Sequence, residues 1–196
     1  MEPLFVKGDF CGFCRKTGDL KTCQRCKLAQ YCSQNCQGSD FARHKGDCKS
    51  VGFYSGLISE VEPYFENFNY GNDGNPPENL FQTQIGEFWW IKNRSEFEKP
   101  FKHPWEIWPR DYLVLRKRLA EAMWRIASSH ENYEAAEKVL KELLEILRLD
   151  SHDGNMTCDM IPHIFLYLGR LQESYNFAKF QFVHFHGMKD FLEKSR

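Results

Sequence analysis

Apolar residues recur with helical spacing mainly in the second half of this chain. From Pro109, which suits a first helical turn, Tyr112, Leu115, Leu119, Ala122, Met123 and Ile126 follow an i, i+3, i+4, i+7 stripe and predict a helix. "SSHEN" interrupts it. Asn132 is a candidate N-cap for a second helix with Ala136, Val139, Leu143, Ile146 and Leu147 on its apolar face. Glu134 with Lys138, and Glu137 with Lys141, are favourable i, i+4 pairs on the wet face. After the break "DSHDGN", Met160, Ile161, Ile164, Phe165 and Leu168 predict a third helix that Gly169 is placed to end. Pro162 falls in its first turns and would delay its start. A fourth, from about Gln172, presents Tyr175, Ala178, Phe182 and Phe185.

The middle of the chain carries a different pattern. Residues 53–108 hold 14 of the 30 aromatic residues, broken by prolines and glycines. "YGNDGNPPENLF" reads as a loop, and "GLISEVEPYFENF" as one short helix before irregular chain. The rings of "FWWI" and "HPWEIWP" could form an aromatic cage, but packing on the helices that follow is the simpler use of such apolar surface.

The first fifty residues have almost no aliphatic pattern. "KLAQYCSQNCQGSDFARHKGDC" is polar and charged, and something other than apolar burial must hold it. Seven of the eight cysteines lie between Cys11 and Cys48, in the order Cys11, Cys14, Cys23, Cys26, Cys32, Cys36, His44, Cys48. The spacings are Cys-x2-Cys, Cys-x2-Cys, Cys-x3-Cys and His-x3-Cys. Each lets two side chains grip one ion from a tight turn or a helical turn. Eight ligands match two tetrahedral zinc ions, one with four cysteines and one with three cysteines and a histidine. Seven cysteines cannot all pair as disulfides, and the histidine in the second half favours zinc over an iron–sulfur cluster. The pairs could combine in cross-braced or sequential order, and ligand counting does not separate the two. Four ligands per ion leave no open position, so both sites read as structural.

Composition and charge narrow the classes further. The 196 residues are 42% hydrophobic and 27% charged, with formal net charge -1, so there is a core to build and no global basic footprint for nucleic acid. Residues 1–50 carry nine Lys or Arg and five Asp or Glu, but zinc-bound thiolates reduce that excess to about +1. Arg15, Lys16, Lys21, Arg25, Lys27 and Lys45 then read as a solvated face. The N-terminus lacks a signal-peptide run and no stretch reaches membrane-helix length. An intracellular protein, in cytoplasm or nucleus, is expected. His103, His130, His152, His163, His184 and His186 sit at unrelated spacings and suggest surface or packing roles.

The residues "CGFC", "CQRC", "YCSQNCQ" and "FARHKGDC" resemble the MYND zinc finger over residues 11–48. That resemblance implies cross-bracing: Cys11, Cys14, Cys32 and Cys36 on one zinc, Cys23, Cys26, His44 and Cys48 on the other. It implies a peptide groove lined by Gln37 and Phe41, beside a short strand at Gln30 and Tyr31 that can add a peptide by β-pairing. Phe41 stands where the family usually has Trp. Gln34 to Lys45 is expected to form two short helical turns. "NYEAAEKVL" and "LQESYNFAKF" fall about 39 residues apart, and "YLGRLQESYNF" resembles the turn of a tetratricopeptide repeat, whose usual period is about 34. With "NLFQTQIGEFWW", "RDYLVLRKRLAEAMWRI" and "DMIPHIFLYLGRLQESYNFAKF" beside the finger, most of the chain resembles a group of MYND-containing proteins common in fungi.

The expected architecture is mainly α. A small two-zinc module occupies residues 1–50 and an aromatic-rich connecting segment 51–108. Antiparallel helical hairpins fill 109–196, as a plain bundle or a tetratricopeptide-like stack. The expected function is a non-catalytic interaction module that binds short proline-containing peptides of a partner protein. The alternatives are an enzyme of unrecognised type or a nucleic-acid-binding adaptor. Some MYND fingers sit in lysine methyltransferases of the SET class, but the Asn-His-Ser-Cys-like motif of those enzymes is absent here, as are nucleotide loops and nucleophile elbows.

Overall fold

The structure is a computed structural model and describes residues 10–66, 109–150 and 156–185. Two short strands, β1 (Lys21–Thr22) and β2 (Gln30–Tyr31), pair antiparallel with Lys21 opposite Tyr31 and Thr22 opposite Gln30. Helix α1 then runs over Gln34–Glu66. Helices α2 (Pro109–Ser129) and α3 (Tyr133–Leu149) form one hairpin. A 3-10 turn at Thr157–Asp159 leads to α4 (Ile161–Tyr167) and α5 (Leu171–Phe185). The chain is mainly helical, with a small Cys/His module at its N-terminal end.

The largest departure from the sequence reading is α1. Two short turns and a separate helix from Gly56 were expected; one helix of 33 residues runs through all of them, across residue 50. Its buried face comprises Asp40, His44, Cys48, Val51, Ile58, Val61 and Phe65. That face is a single helical stripe, but its first three members are polar or metal-ligating, so the apolar period is invisible there. Gly38, Gly46, Gly52 and Gly56 weaken the helical signal further, each costing about 1 kcal/mol relative to alanine. Packing supplies what propensity lacks.

α1 lies antiparallel to α2. Phe65 meets Tyr112 at 5.0 Å between ring centroids, and the Tyr112 hydroxyl donates to Glu62 at 2.9 Å. Farther along, Arg125 donates to Asp47 at 2.6 Å. α2 and α3 bury Ile126, Val139, Leu143 and Ile146 between them. At the wetter edge Arg116 makes a bidentate pair with Glu142, with Nη2 donating at 2.8 Å. Asn132 caps α3 as expected, its Oδ1 accepting from Ala135 N at 2.9 Å. Tyr167 stacks on Tyr133 and meets Trp124 edge-on, which fixes α4 against the first hairpin. α4 starts with Pro162 in its first turn and ends at Gly169, whose φ of 73° turns the chain into α5. The arms of this second hairpin, 7 and 15 residues, are unequal. The loop at Tyr70–Phe81 and the possible aromatic cage, as well as His103, His152 and His186, fall outside the described residues. No helix among the described residues is long and apolar enough to cross a membrane.

Candidate metal centre and adjoining groove

The eight ligand candidates gather into two cages. Cys11, Cys14, Cys32 and Cys36 form one, and Cys23, Cys26, His44 and Cys48 the other, with donor atoms within 4.8 Å of one another in each. This is the cross-braced order. Four donors around a zinc ion at about 2.3 Å place sulfurs roughly 3.8 Å apart, and a sulfur and an imidazole nitrogen roughly 3.6 Å apart. Here Cys23 and Cys48 sulfurs are 3.8 Å apart, and Cys26 Sγ lies 3.6 Å from His44 Nε2. Cys14 to Cys32 and Cys32 to Cys36 are each 3.5 Å. All are far beyond a disulfide bond of about 2.05 Å. The donor set fits two zinc ions.

Local backbone prepares the thiols. Burial opposes ionisation of Cys11, but the backbone N–H groups of Cys14, Cys32 and Phe13 outweigh it and bring its thiol down to about 6. In the same cage, hydrogen bonding with Cys14 and Cys36 pushes Cys32 up to about 12. In the other, burial pushes Cys48 up to about 12. A dication is what allows all the thiols of a cage to ionise together. Burial and the neighbouring His130 hold His44 below its usual value, keeping the ring in the neutral form a metal requires.

A buried polar network clamps this module to the α2–α3 turn. Asp40 Oδ2 accepts from the Tyr31 hydroxyl at 2.7 Å and lies 2.8 Å from His130 Nε2. Arg43 Nε donates to Asp40 Oδ1 at 2.7 Å. Burial would raise the Asp40 carboxyl, but Arg43, Tyr31 and His130 together hold it below its usual range. Arg43 also donates to Gly12 O at 2.7 Å and Ser129 O at 3.2 Å, and Asn132 Nδ2 donates to Leu28 O at 2.6 Å. Arg15 pairs with Glu131. A Cβ on Gly12 would stand 2.2 Å from His130 Cδ2, so only glycine admits the histidine there. Asp40, His44 and His130 also fall within ligand distance of one another. His44 already belongs to a cage and Asp40 is bonded by Arg43, Tyr31 and His130, so the trio forms no third ion site; His44 Nδ1 itself has no hydrogen-bond partner among the described residues.

The module also carries an open groove of about 500 Å³. Gln37, Phe41, Lys45 and Lys49 line one wall from α1, Lys21 and Thr22 another from β1, with Arg25 nearby. Tyr31, Cys23, His44 and Cys48 contribute to its floor. Phe41 is 54% exposed, and the Lys45 ammonium sits 5.4 Å from the centre of its ring.

The family model for the MYND finger matches residues 11–48. Residues 11–48 are a MYND finger. Curated relatives share this finger. The histone-lysine N-methyltransferase ASHR1 of Arabidopsis thaliana is 39% identical over 41 residues, 21% of this chain and 8% of that protein. The N-lysine methyltransferase SMYD2-B of Xenopus laevis is 45% identical over 47 residues, 23% of this chain and 11% of that protein. The SET domain-containing protein 14 of Caenorhabditis elegans is 40% identical over 52 residues, 26% of this chain and 12% of that protein. The matches thus span about a tenth of those relatives. No solved structure matches this chain significantly.

The residues expected to bind a peptide divide. Gln37 and Phe41 stand side by side on the groove wall of the MYND finger. Tyr31 reaches the groove but is 1% exposed, and its hydroxyl is committed to Asp40. Gln30 does not line the groove, and its carbonyl accepts from Gly12 N at 2.8 Å. Both residues of β1 line the groove, whereas β2 contributes only Tyr31. Sequence reasoning passed over Asp40, gave His130 only a surface or packing role and read Asn132 only as a helix cap; all three join the finger to the α2–α3 turn. Asp40 had a readable signal, four residues before His44 and eight before Cys48 on one helical face; His130 had none.

Proposed function

We propose that this MYND finger, a zinc module for protein–protein interaction, holds a short extended proline-containing peptide of a partner protein in the groove beside Gln37 and Phe41. The observation that carries the reading is the exposed Phe41 ring, one helical turn from Gln37. Phe41 offers a flat face to a proline ring, and Gln37 offers a donor and an acceptor to an extended backbone. The exposed strand β1 lies across the groove, where a peptide could add by β-pairing. With Phe where the family usually has Trp, affinity is modest, roughly 10–500 μM.

The chain works in this reading as a binding protein rather than an enzyme. Each cage has four donors and no open position for a substrate. The methyltransferase relatives share only the finger, and their activity is not transferred with it. The cysteine-rich cages suit a reducing intracellular compartment.

The test is a fluorescence-polarisation titration of a labelled Pro-x-Leu-x-Pro peptide with the zinc-loaded full chain. Saturable binding is expected, with Gln37→Ala and Phe41→Ala each weakening it about fivefold or more while both zinc ions remain, a loss of roughly 1 kcal/mol. No saturation at millimolar concentration with any proline-containing peptide would overturn the proposal.

A further inference from the structure

The charges of the finger are not distributed like those of an ordinary solvated surface. On the side facing the helices, Arg15, Arg43 and Arg125 each meet a carboxylate, of Glu131, Asp40 and Asp47. On the groove side, Lys21, Arg25, Lys45 and Lys49 line one concavity and no carboxylate lines it with them. Among the described residues none of these four cations has a carboxylate partner. Four like charges around one groove repel, and a concave wall focuses their field outward. The Cys3His cage beneath, with zinc bound, carries a formal -1 and offsets only part of it.

Their placement along the groove is also unequal. Gln37, Phe41, Lys45 and Lys49 are successive i, i+4 positions and form one stripe on α1. The uncharged pair is at its N-terminal end and the cations follow. Arg25 joins the cationic end, because its stem lies against Gly52: a Cβ there would be 3.4 Å from Arg25 Cγ.

We infer that the groove selects peptides carrying an acidic flank, with Asp or Glu residues on the side of the proline core that runs toward Lys45, Lys49 and Arg25. This rests on the peptide-binding reading above and adds the chemical class of the ligand. The proline core sits against Phe41 and Gln37, and the carboxylates beyond it supply the counter-charge that the protein itself does not provide. Asp or Glu side chains there form two or three exposed ion pairs, each modest alone.

The test uses the zinc-loaded full chain and four peptides that share a Pro-x-Leu-x-Pro core. Three Glu residues stand on the N-terminal flank, on the C-terminal flank, or on neither, and a fourth peptide carries three Lys. One of the two acidic peptides should bind about tenfold tighter than the neutral one at low salt. That advantage should shrink to about twofold near 0.5 M salt. The double variant Lys45→Glu with Lys49→Glu should abolish the advantage of the acidic peptide over the neutral one and keep both zinc ions. Equal affinity for acidic and neutral peptides would overturn this inference and leave the peptide-binding reading standing. No binding by any of them would overturn both. Displacement of the acidic peptide by an equal concentration of a single-stranded oligonucleotide would assign the cations to nucleic acid and overturn the inference as well.

Discussion

Helix α1 shows the same finger two ways. Its inner stripe, Asp40, His44 and Cys48, is buried, and every charge near it is answered: Asp40 by Arg43, Tyr31 and His130, and Arg15 by Glu131. Its outer stripe, Gln37, Phe41, Lys45 and Lys49, borders an open groove with an exposed aromatic and unanswered cations. Polar groups can be buried only when their partners are fixed in place. The inner stripe therefore uses metal, carboxylate and backbone carbonyls to weld the finger onto the α2–α3 turn. The outer stripe carries chemistry that only an external partner completes. The finger is thus oriented by its helices and not merely tethered to them.

The comparison breaks most completely if the metal is removed. Structural zinc contributes on the order of 10 kcal/mol per site. Elemental analysis should find two zinc ions per chain, with Cys11→Ala and Cys32→Ala losing the same one and Cys23→Ala losing the one that His44 helps bind. Chelation should unfold the knuckles and the first turns of α1 but leave α2 to α5, whose core of Ile126, Leu143, Ile146 and Ile164 is apolar. Complete loss of far-UV helicity would show one cooperative unit instead.

The next largest effect should come from the inner face alone. Asp40→Ala strands the Tyr31 hydroxyl, His130 and Arg43 and should cost about 3 kcal/mol in urea unfolding. Gly12→Ala drives a methyl into the His130 ring and should cost about 1–3 kcal/mol. Lys49→Ala on the outer face should stay within about 0.5 kcal/mol. Similar costs on both faces would erase the distinction.

Acid should separate the faces more gently. His44 is held below its usual value of 6.5, so its neutral ring is favoured by folding. Its contribution to stability is complete above pH 6.5 and is lost as pH falls below that toward the lowered value. Asp40, held below 3.8, withdraws its own contribution only as pH falls below that value. The urea midpoint should hold steady from pH 8 to about 7 and then decline. A midpoint that rises on acidification would contradict the assignment of His44.

How far the sequence alone reached follows from which signals are periodic. The apolar stripes of α2 and α3 and the Asn132 cap were readable because burial and capping act through local spacing. The ligand pairs were readable because two side chains must grip one ion from a short turn. The continuity of α1 was not, since three of its seven buried positions are Asp, His and Cys, with glycines in between. His130 was not, because its partners Asp40 and Tyr31 lie about a hundred residues away and only the docked fold brings them together. Gln37 and Phe41 came from resemblance, and Lys21, Arg25 and Lys45 beside them read as an ordinary solvated face until the groove brought them together with Lys49.

The two-faced finger is tested most directly by amide shift mapping of the zinc-loaded full chain titrated with a Pro-x-Leu-x-Pro peptide. Saturable shifts should cluster at Thr22, Gln37, Phe41 and Lys45, with Gly12, Leu28, His130 and Asn132 unmoved. Shifts centred on Gly12 and His130 with the groove residues silent would contradict it.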